Sequence, residues 1–254
     1  MLVLKKTKLG ETDLIITGFS EDGCQIRAVA KGARRPGSRL SVPLELYSVT
    51  RVLLYEGKGL GIIREASLTD SNEACRNDVI HSAGAAVIVE LIDAISSEGN
   101  TETRLFPLAR EALRSLGRIS ENGVFLITAA AALKIASQVG YRPTIRECVL
   151  CGSLSYSSQR LPGVNRDVRF SFDEGGLICD NCFNLSEMKE SRILDSMIIE
   201  WAEILISSKF SEIEACVGAE NVKLGGLLLG FTRDWVCFHM VKRLKSLDIL
   251  LSFV

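Results

Sequence analysis

Residues 24–39 read Cys24-Gln25-Ile26-Arg27-Ala28-Val29-Ala30-Lys31-Gly32-Ala33-Arg34-Arg35-Pro36-Gly37-Ser38-Arg39, and this stretch decides the fold of the N-terminal region. Every second side chain of residues 24–30 is apolar, with the polar Gln25 and Arg27 between them. This two-residue period is typical of a half-buried β-strand. Glycine and proline interrupt regular structure in the segment that follows. The pattern therefore predicts a strand that ends in a stiff, exposed loop.

Other short strands surround this one. Alternating or β-branched segments predict strands at 14–19, 46–55 and 60–68, and the glycine-rich residues 56–59 predict a hairpin turn. Four or five short strands fit a small barrel, for which an OB-fold is the natural candidate. Periodicity alone does not separate it from an SH3-like barrel. We expect an N-terminal OB-fold β-barrel over residues 1–75.

The hydrophobic period changes to a helical one from about residue 76. Apolar residues recur at helical spacing in five segments, at 78–97, 105–116, 124–139, 186–207 and 221 to about 247. The third segment is alanine-rich and apolar almost throughout, which is typical of a central helix buried on most sides. We expect an α-helical domain in two parts, 76–147 and 183–254. The fold class of the chain is then α+β.

Four cysteines in two pairs separate the helical parts: Cys148-x-x-Cys151 and Cys179-x-x-Cys182. Two cysteines three residues apart on a tight turn can bind one tetrahedral Zn²⁺ ion, and a second pair completes a closed four-thiolate site. The connection between the pairs is longer than usual, and a loop or short hairpin can occupy it. We predict a four-cysteine zinc-binding insert over 148–182. Its zinc is structural, because no coordination position remains for a water nucleophile.

Two other interpretations of the cysteine pairs have less support. Four buried thiols would require the paired spacing to arise twice by coincidence. A redox pair is expected beside a βαβ pattern, which the sequence lacks. The remaining cysteines are isolated, and we expect core thiols at Cys24, Cys75, Cys216 and Cys237.

The loop after the alternating strand carries four cations and no acid, at Lys31, Arg34, Arg35 and Arg39. Guanidinium groups bind phosphate oxygens bidentately. A run of four cations in an arbitrary protein is most often a solvated loop, but its place on a barrel of nucleic-acid-binding type favours DNA contact. Lys5, Lys6 and Lys8 extend the patch if the first strand lies alongside.

The first 70 residues hold only three aromatic residues, Phe19, Tyr47 and Tyr55. Base-stacking surfaces usually need several exposed rings. We therefore expect binding that is directed at the DNA backbone, sensitive to salt and indifferent to sequence.

Composition and motifs limit the class of function. The 254 residues are 47% hydrophobic and 24% charged, with a net charge of -1, which fits a globular protein of two domains or of one domain with a small insert. There is no P-loop, nucleophile elbow or histidine-bearing acid–base set, so we expect no enzymatic activity. No secretory signal opens the chain and no apolar segment is long enough for a membrane span, so we expect a cytoplasmic, nucleoid-associated protein.

Several motifs resemble the RecO family of DNA repair proteins. In the N-terminal region they are Leu4-Lys5-Lys6 with Leu9-Gly10-Glu11-Thr12-Asp13, Ala28-Val29-Ala30-Lys31-Gly32-Ala33-Arg34-Arg35-Pro36 with Ser38-Arg39-Leu40, and Leu54-Tyr55-Glu56-Gly57-Lys58-Gly59-Leu60. Later in the chain they are Tyr141-Arg142-Pro143, Cys148 with Cys151 and Gly152, Phe170-Ser171-Phe172-Asp173-Glu174-Gly175-Gly176 with Cys179 and Cys182, and Arg243-Leu244-Lys245-Ser246-Leu247. The resemblance covers the whole chain in order, and residues 78–140 match in character more than in motif.

The resemblance implies an N-terminal OB-fold, a helical domain and a zinc-binding insert. It also implies a recombination mediator that binds single- and double-stranded DNA, anneals strands coated with single-strand-binding protein, and with RecR helps RecA replace that protein. By position, Lys31, Arg34, Arg35 and Arg39 would contact DNA. Gly37 stands where a lysine is frequent in the family, which removes one phosphate contact.

A further implied partner is the acidic, apolar C-terminal tail of single-strand-binding protein, which family members recognise through the helical domain. Lys134 and Arg142 are the cationic candidates for this contact. The alternative to a mediator is a zinc-ribbon-containing RNA-binding or regulatory protein-interaction module that uses the same barrel.

Overall fold

The computed structural model describes residues 1–55, 59–96, 101–154, 167–185, 191–218, 221–240 and 243–254. The chain begins with five strands, which are β1 Leu2–Leu9, β2 Asp13–Phe19, β3 Gln25–Ala30, β4 Val49–Tyr55 and β5 Gly61–Asp70. They form a closed barrel in the order β1-β2-β3-β5-β4, in which β3 and β5 are parallel and the other pairs are antiparallel. A closed five-stranded barrel is the architecture of an OB-like domain. The predicted barrel is confirmed, and residues 56–58 of the predicted hairpin turn lie outside the described residues.

Side chains along each barrel strand alternate between the inside and the outside, and residues paired between strands share one side. Ile16 of β2 pairs with Ala28 of β3, and both side chains face inward. The interior is filled by small and medium apolar residues, namely Val3, Leu14, Ile16, Ala28, Ala30, Ala33, Leu44 and Ile63. A register shift between Val3 and Lys5 lets β1 also contribute Leu2 and Leu4 to the core of the helical domain.

Nine helices and a small sheet follow in the described residues. The helices are α1 Ala74–Asn77, α2 Val79–Ile95, α3 Leu105–Arg118, α4 Glu121–Gln138, α5 Asp180–Leu185, α6 Ser196–Ser207, α7 Phe210–Ala215, α8 Asn221–Met240 and α9 Lys245–Leu251. The sheet has the order β7-β6-β8, with β6 Asp167–Ser171, β7 Gly176–Ile178 and β8 Arg192–Asp195. The helix α4 is central, as predicted, because it packs against α2, α3, α6, α7 and α8.

Two predicted helices differ from the structure. Within the segment 186–207, helix α6 begins only at Ser196, and residues 192–195 instead form β8 beside β6. The Asp195 side chain accepts a hydrogen bond from Met197 N (2.8 Å), which caps α6 and ends the strand. The segment from 221 to about 247 is divided between α8 and α9, and the short helix α7 was not predicted. Residues 186–190 and 241–242 lie outside the described residues.

Charged and polar contacts join the barrel to the helical domain. Asp70, at the end of β5, accepts hydrogen bonds from Arg110 (2.6 Å) and Arg114 (2.7 Å) of α3. Arg76 donates to the carbonyl oxygen of Leu46 at 2.7 Å. Burial would raise the pKa of Asp70, but the hydrogen bonds from the two arginines outweigh it and lower the pKa. The strands of the barrel end with β5, and the helices begin with α1. The predicted domain boundaries at residues 75, 147 and 182 stay a prediction.

Asp70→Asn is expected to lower the free energy of unfolding by roughly 1–2 kcal/mol at pH 7, because a half-buried carboxylate loses its charge between two arginines. A depressed pKa contributes stability above the ordinary aspartate pKa and loses it as pH falls through the folded-state value. The difference from the wild type should therefore shrink at pH 3 in urea titrations. Asp22→Asn, on an exposed turn, is the control. An equal difference at both pH values would contradict the assignment.

Candidate nucleic-acid interface and metal centre

The predicted basic loop follows β3 and is exposed at all four cations, Lys31, Arg34, Arg35 and Arg39. Within the described part of the chain, no carboxylate lies at ion-pair distance from Lys31, Arg35 or Arg39. Their charges are therefore available to an anionic ligand.

Arg34 differs from its neighbours because its guanidinium binds the backbone of the β1–β2 turn. Its Nη1 atom donates to the carbonyl oxygens of Glu11 (2.8 Å) and Gly10 (3.3 Å), and its backbone N–H donates to Thr12 O at 2.9 Å. Asp13 accepts a hydrogen bond from Gly32 N at 2.8 Å, and this bond lowers the pKa of Asp13. The arginine thus fixes the basic loop against the neighbouring turn.

The two lysines of β1 also have different environments. Lys6 lies 2.8 Å from the Glu45 carboxylate, so its charge is compensated within the protein. Lys5 is exposed and pairs with Thr17 on β2, which in turn pairs with Arg27 on β3. Directly paired residues share one face of a sheet. Lys5 and Arg27 therefore lie on the same outer face of the barrel.

A continuous row of residues crosses this outer face. The registers of the barrel align Thr7, Ile15, Val29, Ile62 and Tyr55 across all five strands. The three aliphatic members are half-buried and the two end members are exposed. This face was not predicted. The alternating position of Arg27 was its only sequence signal, because the register between distant strands is not readable from a single segment.

The four paired cysteines meet at one point. The sulfur atoms of Cys148, Cys151, Cys179 and Cys182 all lie within 4.8 Å of one another, and those of Cys151 and Cys179 are 3.8 Å apart. Tetrahedral coordination with Zn–S bonds of about 2.3 Å places sulfur atoms about 3.8 Å apart. Backbone N–H groups of Cys179 and Cys182 donate to the Cys148 and Cys179 sulfurs at 3.4 Å. The donor set fits a bound metal ion, and its all-thiolate chemistry is compatible with zinc.

The thiols of this cluster have shifted pKa values. Hydrogen bonds from Ser153 lower the pKa of Cys151 to about 6. Contact with the sulfurs of Cys151 and Cys179 raises the pKa of Cys182 to about 12. Four thiolates repel one another at this separation, and a divalent cation between them would remove the repulsion.

The small sheet positions both cysteine pairs. The backbone of Val149 donates to Leu177 O at 2.8 Å, which fixes the first pair to β7, and β7 leads directly to Cys179. Gly176 on β7 forms a parallel β-bridge with Thr144, so close that a Cβ atom would clash with the Thr144 carbonyl oxygen. Only glycine fits at that bridge.

An aromatic cluster packs this sheet against α8. Trp235 is 1% exposed and its ring lies 5.8 Å from Phe170 and 6.0 Å from Phe172 of the insert. Phe231 is 5.4 Å from Phe170, in an edge-to-face arrangement. The insert therefore shares its core with the helical domain.

The isolated cysteines only partly match the prediction of core thiols. Cys75 is buried, and burial raises its pKa to about 11. Cys24 and Cys237 are half-buried. Cys216 is exposed, so the prediction is wrong for this residue. It follows α7, a short helix that the sequence pattern did not indicate.

The cationic candidates of the helical domain are both engaged. Lys134 on α4 donates to the carbonyl oxygens of Ile206 (2.8 Å) and Ser208 (2.6 Å) at the end of α6. It lines a cavity of about 450 Å³ with Leu108 and Phe210. Arg142 lies 3.4 Å from the Glu203 carboxylate.

Among the described helices, none has the length and apolar character of a membrane span.

The closed OB-like barrel and the helical body with its four-cysteine cluster define a two-part protein, with a domain of nucleic-acid-binding type at its N-terminus. Two family models match almost the whole chain. Residues 1–72 match the N-terminal part of recombination protein O, and residues 76–248 match its C-terminal part. The chain belongs to the RecO family of DNA repair proteins.

Individual relatives agree with this assignment. The DNA repair protein RecO of Alkaliphilus metalliredigens is 31% identical over 212 residues, which cover 84% of this chain and 81% of the relative. The protein of the same name from Desulfitobacterium hafniense (strain DSM 10664 / DCB-2) is 33% identical over 181 residues, covering 71% of this chain and 62% of the relative. That of Acetivibrio thermocellus is 27% identical over 221 residues, which cover 87% of this chain and 83% of the relative.

Proposed function

We propose that this chain is a recombination mediator without enzymatic activity. It binds single- and double-stranded DNA through the barrel, anneals strands coated with single-strand-binding protein, and with RecR promotes the loading of RecA. The observation that carries the proposal is the exposed, acid-free group Lys31, Arg35 and Arg39 beside the outer face of an OB-like barrel. Membership in a family of DNA repair proteins supports it.

The DNA contact is divided between two kinds of residue. Lys31, Arg35 and Arg39 bind phosphates directly, because they have no ion-pair partner among the described residues. Arg34 holds the loop against the β1–β2 turn and has remaining N–H groups for a phosphate. Lys5 extends the patch on the outer face, and Lys6 contributes less because Glu45 compensates its charge.

The four cysteines hold a structural Zn²⁺ ion in this proposal. Cys148, Cys151, Cys179 and Cys182 fill all four tetrahedral positions, so the metal stabilises the insert and leaves no position for a reacting water. The cavity beside Lys134 is the proposed site for the acidic, apolar tail of single-strand-binding protein. Lys209 and Phe210 of its lining provide a second cation and an apolar surface.

The triple variant Lys31→Ala/Arg35→Ala/Arg39→Ala is expected to lose annealing of complementary DNA strands that are coated with single-strand-binding protein. If about four phosphates are neutralised, the slope of log affinity against log salt on single strands is about -3, and removal of three cations reduces its magnitude by about 2. Fluorescence anisotropy at several salt concentrations measures the slope. The matched control removes three exposed arginines outside the barrel, Arg104→Ala/Arg146→Ala/Arg243→Ala.

The possible outcomes test the mediator role and the location of the DNA contact separately. Loss of annealing in the folded barrel variant alone supports both the mediator role and the loop. Equal annealing by both variants would place the DNA contact elsewhere. No annealing by the folded, zinc-loaded wild type would contradict the mediator role, and tighter binding of RNA than of DNA of the same sequence would favour the RNA-binding alternative.

A further inference from the structure

Tyr55 is an exposed aromatic side chain on a barrel whose other aromatic residues are buried. Its side chain is 59% exposed at the end of β4. Phe19 is fully buried, and Tyr47 is 5% exposed with its hydroxyl donating to Ser82 O. Core packing accounts for those two rings but not for Tyr55. An exposed ring at the end of the apolar outer row is available to a ligand.

A β-bulge brings a cation to this ring. The β4–β5 register shifts between Leu53 and Leu54, so that Leu53 pairs with Glu65 and Leu54 pairs with Ile63. Arg64 is the extra residue on β5, and its guanidinium carbon lies 5.6 Å from the centroid of the Tyr55 ring. Bulges commonly re-aim side chains next to binding sites. A guanidinium at this distance interacts with the ring face and holds its orientation.

The charged residues around the Tyr55 ring are mainly cations, as in a nucleic-acid-binding site. Lys5 and Arg27 lie on the same outer face, and Lys31 follows directly after β3. Glu65 is the acidic neighbour on β5. Aliphatic side chains between an aromatic ring and several cations suit a ligand with flat apolar groups on a polyanionic backbone. That ligand is a single strand, because the bases of a duplex are stacked and offer no free face.

We infer that Tyr55, oriented by Arg64, stacks against an unpaired base, so that the chain distinguishes single strands from duplexes by stacking in addition to charge. This inference rests on the proposed DNA-binding function and assigns the single-strand contact of the same site. It also changes the expectation from the aromatic content of the sequence, because one correctly placed ring is enough for one stacking contact.

The full-length protein is tested with three ligands of equal length: oligothymidylate, an abasic strand with the same number of phosphates, and a duplex. Tyr55→Ala is expected to weaken oligothymidylate binding about 5- to 100-fold, the range for loss of one base–aromatic contact. Binding of the abasic strand and the duplex should change less than about twofold, and the salt slope should stay unchanged because no charge is lost. Tyr55→Phe should bind like the wild type. Leu53→Ala is the matched control, since Leu53 lies on the same strand and is 57% exposed.

Three results would decide against the inference. It is overturned if Tyr55→Ala binds oligothymidylate as the wild type does, or if it weakens the abasic and base-bearing strands equally. It is also overturned if Leu53→Ala has the same selective effect. Failure of the proposed function has a separate signature, in which the folded wild type binds none of the three DNA ligands.

Discussion

Cys148→Ser is expected to abolish the proposed zinc binding and to unfold the insert, while the barrel and the central helices stay folded. Structural zinc sites contribute on the order of 10–16 kcal/mol to the folding of small metal-binding units. Cys148 is buried, and its sulfur accepts the Cys179 N–H. Loss of this ligand therefore disrupts both cysteine pairs. The measurement is zinc released per chain on denaturation, combined with limited proteolysis.

Cys216→Ser is the matched control, because this cysteine is exposed and follows α7 rather than belonging to the four-sulfur cluster. It should keep the wild-type zinc content and cleavage pattern. Zinc retention in Cys148→Ser would contradict the four-thiolate site. So would chelator-treated wild type that holds no zinc yet resists proteolysis as before.

Trp235→Ala is expected to lower the free energy of unfolding by about 3–5 kcal/mol, the usual cost of truncating a buried aromatic residue. The ring packs against Phe170 and Phe231, and its Nε1 donates to Tyr141 O at 2.9 Å. Trp235→Phe should cost less, because it keeps most of the packing and loses mainly the hydrogen bond. Urea unfolding followed by circular dichroism measures both changes.

The zinc content per chain distinguishes the effect of Trp235→Ala from that of Cys148→Ser. Trp235→Ala leaves all four sulfur ligands in place, so it should retain zinc at low denaturant concentration although the contact between insert and α8 is weakened. Trp201→Phe, at a half-buried position on α6, is the control for loss of an indole. A stability loss below about 1.5 kcal/mol for Trp235→Ala would show that the cluster does not join the insert to the helical domain.

Local patterns were sufficient for most of the secondary structure. The two-residue period of residues 24–30 appears as β3, and the alanine-rich segment appears as the buried helix α4. Both are local signals, since backbone geometry converts spacing along the chain directly into one face of an element. The prediction was wrong for residues 192–195, where pairing with β6 outweighs the helical preference of the surrounding segment.

The cysteine cluster was also predictable from the sequence, because two cysteines three residues apart on a turn point the same way independently of the rest of the chain. Long-range pairing decided the remaining features. Register across five strands aligned Tyr55 with Ile62 and Val29, and a bulge placed Arg64 at the ring. The sequence thus specified most of the elements, the two cysteine pairs and the basic loop. Contacts between residues far apart in the chain decided which cations of the described barrel have no ion-pair partner and which aromatic ring faces solvent. No local period encodes such contacts.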